Sequence, residues 1–391
     1  MIKVYIDATP IRDKPTGIGV YTFNLINELH YLEDTKNLQL NIYFHPSLKN
    51  WLRCNFLIPK LLNKYSKVLR LNIPVSLADL LAKYLPFIFS SFKKNLDNIN
   101  LIHGTDHYIY PYEKAEKIIT IHDLTFLKFP KYSTKIVKSY TGRIERCLKW
   151  TNAVITFSKN TKQDIVDFFN VDPSAIYIIP QASRYSNNYL APQLTQDNPI
   201  SIEKHLDSPY FLFVSTLEPR KNILNLIKAF EYLKTNYDIS HQLILIGKKG
   251  WGYHHIVNHI DQSPFKQNIH HLDYVSDKSL ATFYNQAEIF IYPSFYEGFG
   301  LPILEAMTLG SPVITSNTSS LPEVAGDAAL YVDPHNYYEL ARMMLKVLKN
   351  PDLRQEMIKR GRRRADKFSW RNTALETLSV YKSVLDKKDQ L

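Results

Sequence analysis

The sequence predicts a doubly wound α/β protein: two Rossmann-like domains, each a parallel sheet covered on both faces, meeting at an interdomain cleft. Three observations carry this prediction. Short β-rich apolar runs alternate with helical segments along nearly the whole chain, which is the pattern of parallel sheets under crossover helices. The alternation breaks once, at residues 181–208, where the chain turns polar, aperiodic and rich in Asn, Gln, Ser and Pro. The length of 391 residues suggests two or three domains at about 150 residues each. Expected boundaries are therefore 1–200 and 201–369, with a helix over 370–391 packing back on the first domain.

The elements follow in order. IKVYID (2–7) is a strand, and a turn with Pro10, Pro15, Gly17 and Gly19 follows it. VYTFNLINELHYL (20–32) has apolar residues at helical spacing. LQLNIYF (38–44), LIHG (101–104), KIITIHD (117–123), AVITFS (153–158) and AIYIIP (175–180) complete the first strand series. The second series is YFLFVS (210–215), QLILIG (242–247), NIHHLDYV (268–275), IFIYPS (289–294), PVITS (312–316) and ALYVD (329–333). Helices are expected between them over 222–234, 276–287, 302–310 and 337–350, with a last one from Trp370 to about Leu385. In open sheets of this kind ligands bind beyond the carboxyl ends of the strands. The loops after those ends hold nearly every unusual residue in the chain.

Composition narrows the classes. Apolar residues make up 45% and charged residues 22%, an ordinary globular balance. Two cysteines, Cys54 and Cys147, cannot build a disulfide scaffold or a cysteine metal cage, which favours a reducing compartment. The N-terminus lacks a signal-peptide pattern and no run approaches the ~18 apolar residues of a membrane span, so a cytoplasmic protein is expected. The net charge of +11 is uneven: residues 1–200 hold 25 Lys and Arg against 16 Asp and Glu. Residues 47–100 alone hold nine basic and two acidic residues among many Leu, Phe and Ile. Such a segment suits peripheral docking on an anionic membrane, and equally suits ordinary core-facing helices with solvated lysines. No zinc spacing or RNP-type motif accompanies the charge, so nucleic acid is not an expected partner.

The sharpest constellation is SFYEGFGLPILEAM. Glu297 ends a strand loop, Gly298 and Gly300 thin the backbone around Phe299, and Leu301 and Pro302 open a helix. Glu305 is expected in its first turn. A helix start is an anion site suited to a diphosphate. One carboxylate there can accept two hydrogen bonds from a vicinal diol such as a ribose, and the other can do the same for a sugar. Arg220 and Lys221 follow the first strand of the second series. His122 and Asp123 follow IITI, and His103 holds a similar place in LIHGTDHY. His255 and His259 have zinc-like spacing, but no third ligand is evident and no metal site is expected. The run KRGRRR (359–364) reads as a solvated helix face.

EGFGLPILE resembles the E-x7-E signature of the retaining GT-B glycosyltransferases, specifically the large GT4 group. TGIGVYT (16–22), IHDLTF (121–126), STLEPRKN (215–222), LIGKKGWG (245–252), LDYVSDKSL (272–280) and FSW (368–370) agree with it. The resemblance spans essentially the whole chain and is weakest across 45–100 and 183–208. STLEPRKN with GKKGW is most similar to bacterial mannosyltransferases of surface polysaccharide assembly. Many members begin the first of these motifs with Gly-Arg, where this chain has Ser215 and Thr216.

The resemblance implies roles. Glu297 would bind hydroxyls of the donor sugar and Glu305 the nucleotide ribose. Arg220 and Lys221 would neutralise the diphosphate and stabilise the leaving group. Gly17 and Gly19 would let the first loop approach the diphosphate. Gly247 and Lys248 would touch phosphates or base, and the backbone of Tyr274 and Val275 would recognise the base. His122 would face the donor sugar, with His103 and Asp123 on the acceptor side. The implied reaction is metal-independent hexosyl transfer, first of all mannose from GDP-mannose, to a saccharide or lipid-linked saccharide, with no cofactor beyond the nucleotide-sugar substrate. A UDP-sugar donor, a nucleotide-sugar epimerase and a non-catalytic relative of the same fold are the alternatives. A dinucleotide dehydrogenase is not expected, because the full G-x-G-x-x-G with a distant ribose acid does not follow the first strand.

Overall fold

The computed structural model describes residues 1–13, 16–84, 99–109, 111–112, 114–132, 140–186, 189 and 208–388. It divides into two compact units. Unit 1 comprises Met1–Leu127, Lys135–Gln181 and Trp370–Leu391, and unit 2 comprises Lys128–Thr134 and Ala182–Ser369.

Unit 1 is built on a seven-stranded sheet ordered β3-β2-β1-β4-β5-β6-β7. Its strands are β1 (Ile2–Asp7), β2 (Leu38–Phe44), β3 (Val68–Arg70), β4 (Leu101–Gly104), β5 (Glu116–Thr120), β6 (Ala153–Thr156) and β7 (Ile176–Ile178). Every pairing is parallel, with Ile6 opposite both Ile42 and His103. All four residues of β4 and of β6 are buried. That is why these strands read as continuous apolar runs rather than as alternation. The order reverses between β1 and β4, which makes their carboxyl ends the switch point of this sheet.

Three expectations change here. The basic segment is more than a pair of helices: Leu48–Leu52 and Val75–Tyr84 are helical, but β3 lies between them at the sheet edge. A three-residue strand is too short to leave a period. The rest of that segment, residues 85–98, lies outside the described residues, as does most of the polar stretch 187–207. The glycine loop is also corrected. Gly17 and Gly19 form the first turn of helix Gly17–Lys36, which starts directly after Thr16 with its extended backbone. Packing of Val20, Tyr21, Leu25, Ile26 and Leu29 in the core outweighs the poor helix propensity of two glycines. At the other end Asn37 takes the left-handed conformation and its N–H closes on Glu33 O. Third, β5 stops at Thr120, so Ile121–Asp123 are loop.

Helix Trp370–Lys388 belongs to unit 1 and packs along helix Gly17–Lys36. Trp370 approaches Tyr21 with ring centroids 6.3 Å apart, and Thr373 Oγ1 donates to Pro180 O at 2.8 Å.

Unit 2 carries a six-stranded parallel sheet ordered β10-β9-β8-β11-β12-β13. The strands are β8 (Tyr210–Val214), β9 (Gln242–Ile246), β10 (Ile269–Leu272), β11 (Ile289–Tyr292), β12 (Val313–Ser316) and β13 (Ala329–Val332). Phe290 pairs with Leu212 on one side and Val313 on the other. The crossover helices are Ile223–Asn236, Tyr253–Gln262, Asp277–Gln286, Leu301–Leu309 and the short Leu321–Ala325, and helix Tyr337–Leu348 follows the last strand. Arg364, from helix Pro351–Ala365, donates from Nε to Val324 O at 2.8 Å and so caps a short helix end. The switch point of this sheet lies between β8 and β11. Among the described residues no helix is long and apolar enough to cross a membrane.

Candidate active site

In unit 2 the two loops leaving the switch-point strands are stitched together. After β8, Pro219–Lys221 makes a single 3-10 turn, ended by Asn222 in the left-handed conformation at φ 60°. Asn222 Nδ2 donates to Pro293 O at 3.0 Å and to Pro334 O at 2.6 Å, fixing the turn against the loops after β11 and β13. Phe295 N donates to Arg220 O at 3.0 Å. The turn therefore presents two consecutive cations to the loop that carries Glu297.

Lys221 Nζ lies 2.6 Å from Glu297 Oε1, and Arg220 Nη1 lies 2.9 Å from Glu297 Oε2. Glu297 and Lys221 are each only 6% exposed. Burial pushes the Glu297 carboxyl up, but Arg220 and Lys221 overcome it and hold the group at about 2. Burial and the Arg220 charge oppose the ammonium of Lys221, and Glu297 more than compensates, raising it. Lys221 Nζ also donates to Tyr292 OH at 2.9 Å, while Arg220 donates from Nη1 to Tyr296 O at 2.6 Å and from Nη2 to Glu218 Oε1 at 2.8 Å. The Glu297 backbone is held too: its N–H donates to Ser319 Oγ at 3.0 Å, and Ser320 Oγ donates to Glu297 O at 2.9 Å and Phe299 O at 2.8 Å.

Gly300 sits at φ 111°, and a Cβ there would lie 3.0 Å from Leu321 Cδ2, so the loop turns into helix Leu301–Leu309 only with glycine at this position. The helix opens on Leu301 with Pro302 second. Glu305 is consequently its fifth residue, in the second turn rather than the first as the sequence suggested. It is 1% exposed, and both its oxygens are engaged. Arg184 Nε donates to Oε1 at 2.6 Å, and Tyr284 OH donates to Oε2 at 3.1 Å. Gly298, Phe299 and Leu301 are all buried beside these two glutamates.

The loops after β9 and β10 carry the other expected donor residues. Gly247 adopts φ 148°, and a Cβ on it would fall 1.9 Å from Ser215 O. His271 Nε2 donates to Gly247 O at 2.8 Å. Lys248 is exposed, with its Nζ 5.7 Å from the Tyr274 ring centroid. Tyr274 is 40% exposed and Val275 half-buried. On helix Tyr253–Gln262, His259 Nε2 sits 3.2 Å from Glu231 Oε2.

Unit 1 assembles a second polar group at the carboxyl ends of β1, β4 and β5. His122 Nε2 donates to Thr105 O at 2.8 Å, which fixes the proton on Nε2 and leaves Nδ1 as an acceptor. Burial pushes the imidazole of His122 down to about 4, so it is neutral. Its ring packs on Phe157 and edge-on to Tyr21. Asp123 Oδ1 accepts from Thr125 N at 2.9 Å and its carbonyl accepts from His107 Nε2 at 3.2 Å. His107 Nδ1 meets Asp106 Oδ1 at 2.6 Å; burial opposes the imidazolium, yet Asp106 raises it above its ordinary value. Burial pushes the Asp7 carboxyl at the end of β1 up to about 7.

His103, expected on the acceptor side, is instead a core residue. It is 0% exposed, with Nδ1 2.7 Å from Tyr381 OH and Nε2 2.8 Å from Thr120 Oγ1. Burial, with His122 close by, pushes it down to about 3, so it stays neutral and both ring nitrogens are spent on the fold. Sequence reasoning missed Arg184, Tyr284, Tyr292, Ser319, Asp106 and Asp7. The only available signal for Arg184 was that it is the one basic residue between Lys162 and Lys204. Nothing in the sequence aims it at a glutamate 121 residues away.

Residues 195–364 match the family model described as glycosyl transferases group 1. The O-antigen chain mannosyltransferase B of Escherichia coli is 30% identical over 405 residues, covering 97% of this chain and 100% of the relative. Among solved structures, sucrose-phosphate synthase from Thermosynechococcus elongatus superposes with a TM-score of 0.76 at 19% identity, covering 99% of this chain and 100% of that one. Anabaena HepE in complex with UDP and glucose superposes with a TM-score of 0.69 at 15% identity, over 100% of both chains. The two parallel-sheet Rossmann-like units are those of the GT-B fold. With a relative of that identity aligned along nearly the full length of both chains, this chain belongs to the group 1 glycosyltransferases.

Proposed function

We propose that this glycosyltransferase is a GT4-type mannosyltransferase that moves mannose from GDP-mannose to a saccharide or lipid-linked saccharide, with retention of configuration and without a metal. The observation that supports it most is Glu297 held between Lys221 at 2.6 Å and Arg220 at 2.9 Å, at the carboxyl ends of β8 and β11. The sugar is taken from the name of the Escherichia coli relative.

On this reading the diphosphate lies over the start of helix Leu301–Leu309 and against Arg220 and Lys221, which supply the positive charge that a divalent ion supplies in other transferases. Glu297 accepts hydroxyls of the transferred sugar, and Glu305 accepts the two ribose hydroxyls. Lys248, with Gly247 and the backbone of Tyr274 and Val275, serves the phosphates and base. The bond from sugar C1 to the diphosphate oxygen breaks as the acceptor oxygen bonds to C1 from the same face. The acceptor proton passes to the departing diphosphate oxygen, so no covalent intermediate forms. Charge grows on the diphosphate in that step, and Arg220 and Lys221 are preorganised to meet it. In unit 1, His122 is neutral and its Nδ1 offers an acceptor suited to a sugar hydroxyl. The basic and apolar surface over 47–84, with Leu52 and Leu57 exposed, serves peripheral contact with an anionic membrane that carries the acceptor.

The test is thermal unfolding with GDP, UDP and their sugars in EDTA, comparing the wild type with Glu305→Ala. A ligand at ~100 times its dissociation constant stabilises by ~2.7 kcal/mol, a rise of several degrees. A shift confined to guanosine nucleotides and lost in Glu305→Ala is expected. A shift confined to uridine nucleotides overturns the donor, sugar isomerisation without acceptor points to an epimerase, and no shift at all overturns the reading.

A further inference from the structure

Glu305 is a carboxylate at 1% exposure, and an anion so buried is stable only beside a cation or several donors. Its cation is Arg184, from the polar stretch that sequence reasoning treated as a linker. That stretch is anchored at residues 184–185. Arg184 Nη1 reaches Asp277 Oδ1 at 3.0 Å while its Nε holds Glu305 at 2.6 Å. The next residue, Tyr185, is buried and donates from its OH to the backbone carbonyl of the same Asp277 at 3.0 Å. The first residue of helix Asp277–Gln286 therefore pins the dipeptide twice, once by side chain and once by backbone.

The geometry fixes what Glu305 has left to offer. A carboxylate has about four lone-pair directions. Arg184 fills one on Oε1 and Tyr284 fills one on Oε2. Tyr284 is itself set by ring contacts to Phe290 at 5.3 Å and Tyr185 at 6.5 Å. Among the described residues that leaves one acceptor direction on each oxygen, which matches the two neighbouring hydroxyls of a ribose. We infer that Arg184 is the positioning residue that orients the Glu305 carboxylate so that it accepts both ribose hydroxyls of a nucleoside diphosphate. This rests on the nucleotide-sugar reading above. A guanidinium does this where an ammonium does not: Nε and Nη1 lie in one rigid plane and address Glu305 and Asp277 at fixed angles.

The experiment is calorimetric titration of the full chain with GDP and UDP and with their 2′-deoxy and 3′-deoxy forms. Wild type is compared with Arg184→Met and Arg184→Lys, each checked for an intact thermal transition. Wild type is expected to favour the ribose form of the nucleotide it binds over both deoxy forms. Arg184→Met should weaken the ribose form by about tenfold or more and the deoxy forms by less than about threefold, so that the preference collapses. Arg184→Lys keeps the charge, serves if the Met variant does not fold, and should lose part of the preference. An undiminished ribose preference in both variants overturns the inference. So does an equal loss across all forms, which is a structural role, or tighter binding, which would make Arg184 an obstruction. Absence of nucleotide binding by the wild type is a different failure: it removes the nucleotide-sugar reading and this inference with it.

Discussion

Glu297→Gln preserves the shape of the side chain and removes its charge, leaving Arg220 and Lys221 facing a neutral amide in a buried site. The magnitude follows from the environment of the carboxyl. It is held at about 2 against an ordinary value of 4.5, and a tenfold change in a protonation equilibrium is worth ~1.4 kcal/mol. Glu297 thus contributes ~3 kcal/mol of folding stability at neutral pH, in line with the 3–5 kcal/mol typical of breaking one side of a buried ion pair. Because the folded value is the lower one, this contribution is complete above about pH 4.5 and is lost as pH falls toward 2. For a domain of about 150–250 residues, ~3 kcal/mol lowers the melting temperature by about 6–12 °C. Differential scanning calorimetry at pH 7 and pH 3.5 measures it: the gap between wild type and variant should be ~3 kcal/mol at pH 7 and about 2 kcal/mol at pH 3.5. Equal melting at pH 7, or a gap that widens on acidification, refutes the reasoning, because either would mean that the two cations do not outweigh the burial of the carboxylate.

Two further outcomes are expected. Asp7→Asn should stabilise unit 1 above pH 7, because burial raises this carboxyl from 3.8 to about 7 and stability falls as pH rises through that window; the gain is at most about 4 kcal/mol, and urea midpoints at pH 5 and pH 8 should differ less in the variant than in the wild type. Gly247→Ala places a Cβ 1.9 Å from Ser215 O at φ 148°, so the loop after β9 must move; a loss above about 3 kcal/mol or no soluble protein is expected, and a melting temperature within about 2 °C of wild type would show that the loop yields freely.

Much of the molecule was legible without coordinates. β1 and β2 run over the residues that the apolar pattern marks, and β8, β9 and β11 stop within two residues of it. The reason is that β8, β9 and β11 are buried nearly throughout and so are apolar nearly throughout, whereas β1 and β2 are partly buried and alternate apolar residues with polar ones such as Lys3, Gln39 and Asn41; patterns carried by consecutive residues need no partner to be seen. The Glu297–Glu305 spacing and the Arg220–Lys221 turn were legible for the same reason, since each is carried by consecutive residues at a strand end or a helix start. Where the sequence misled, the deciding interaction was distant. Gly17 and Gly19 became helix because the face beyond them is packed into the core. His103 looked like a site histidine until Tyr381, 278 residues away, took one of its nitrogens. Arg184 looked like linker until it met Glu305 and Asp277, and β3 exists because β2 offers it a sheet edge. Local propensity and composition determined the strands, the fold class and the two acidic positions. Which charges are paired, and which polar groups are spent on the fold and which are left for a ligand, was decided by tertiary contacts, because a buried ionic or hydrogen-bonding group takes its state from whatever neighbour the fold brings within about 3 Å.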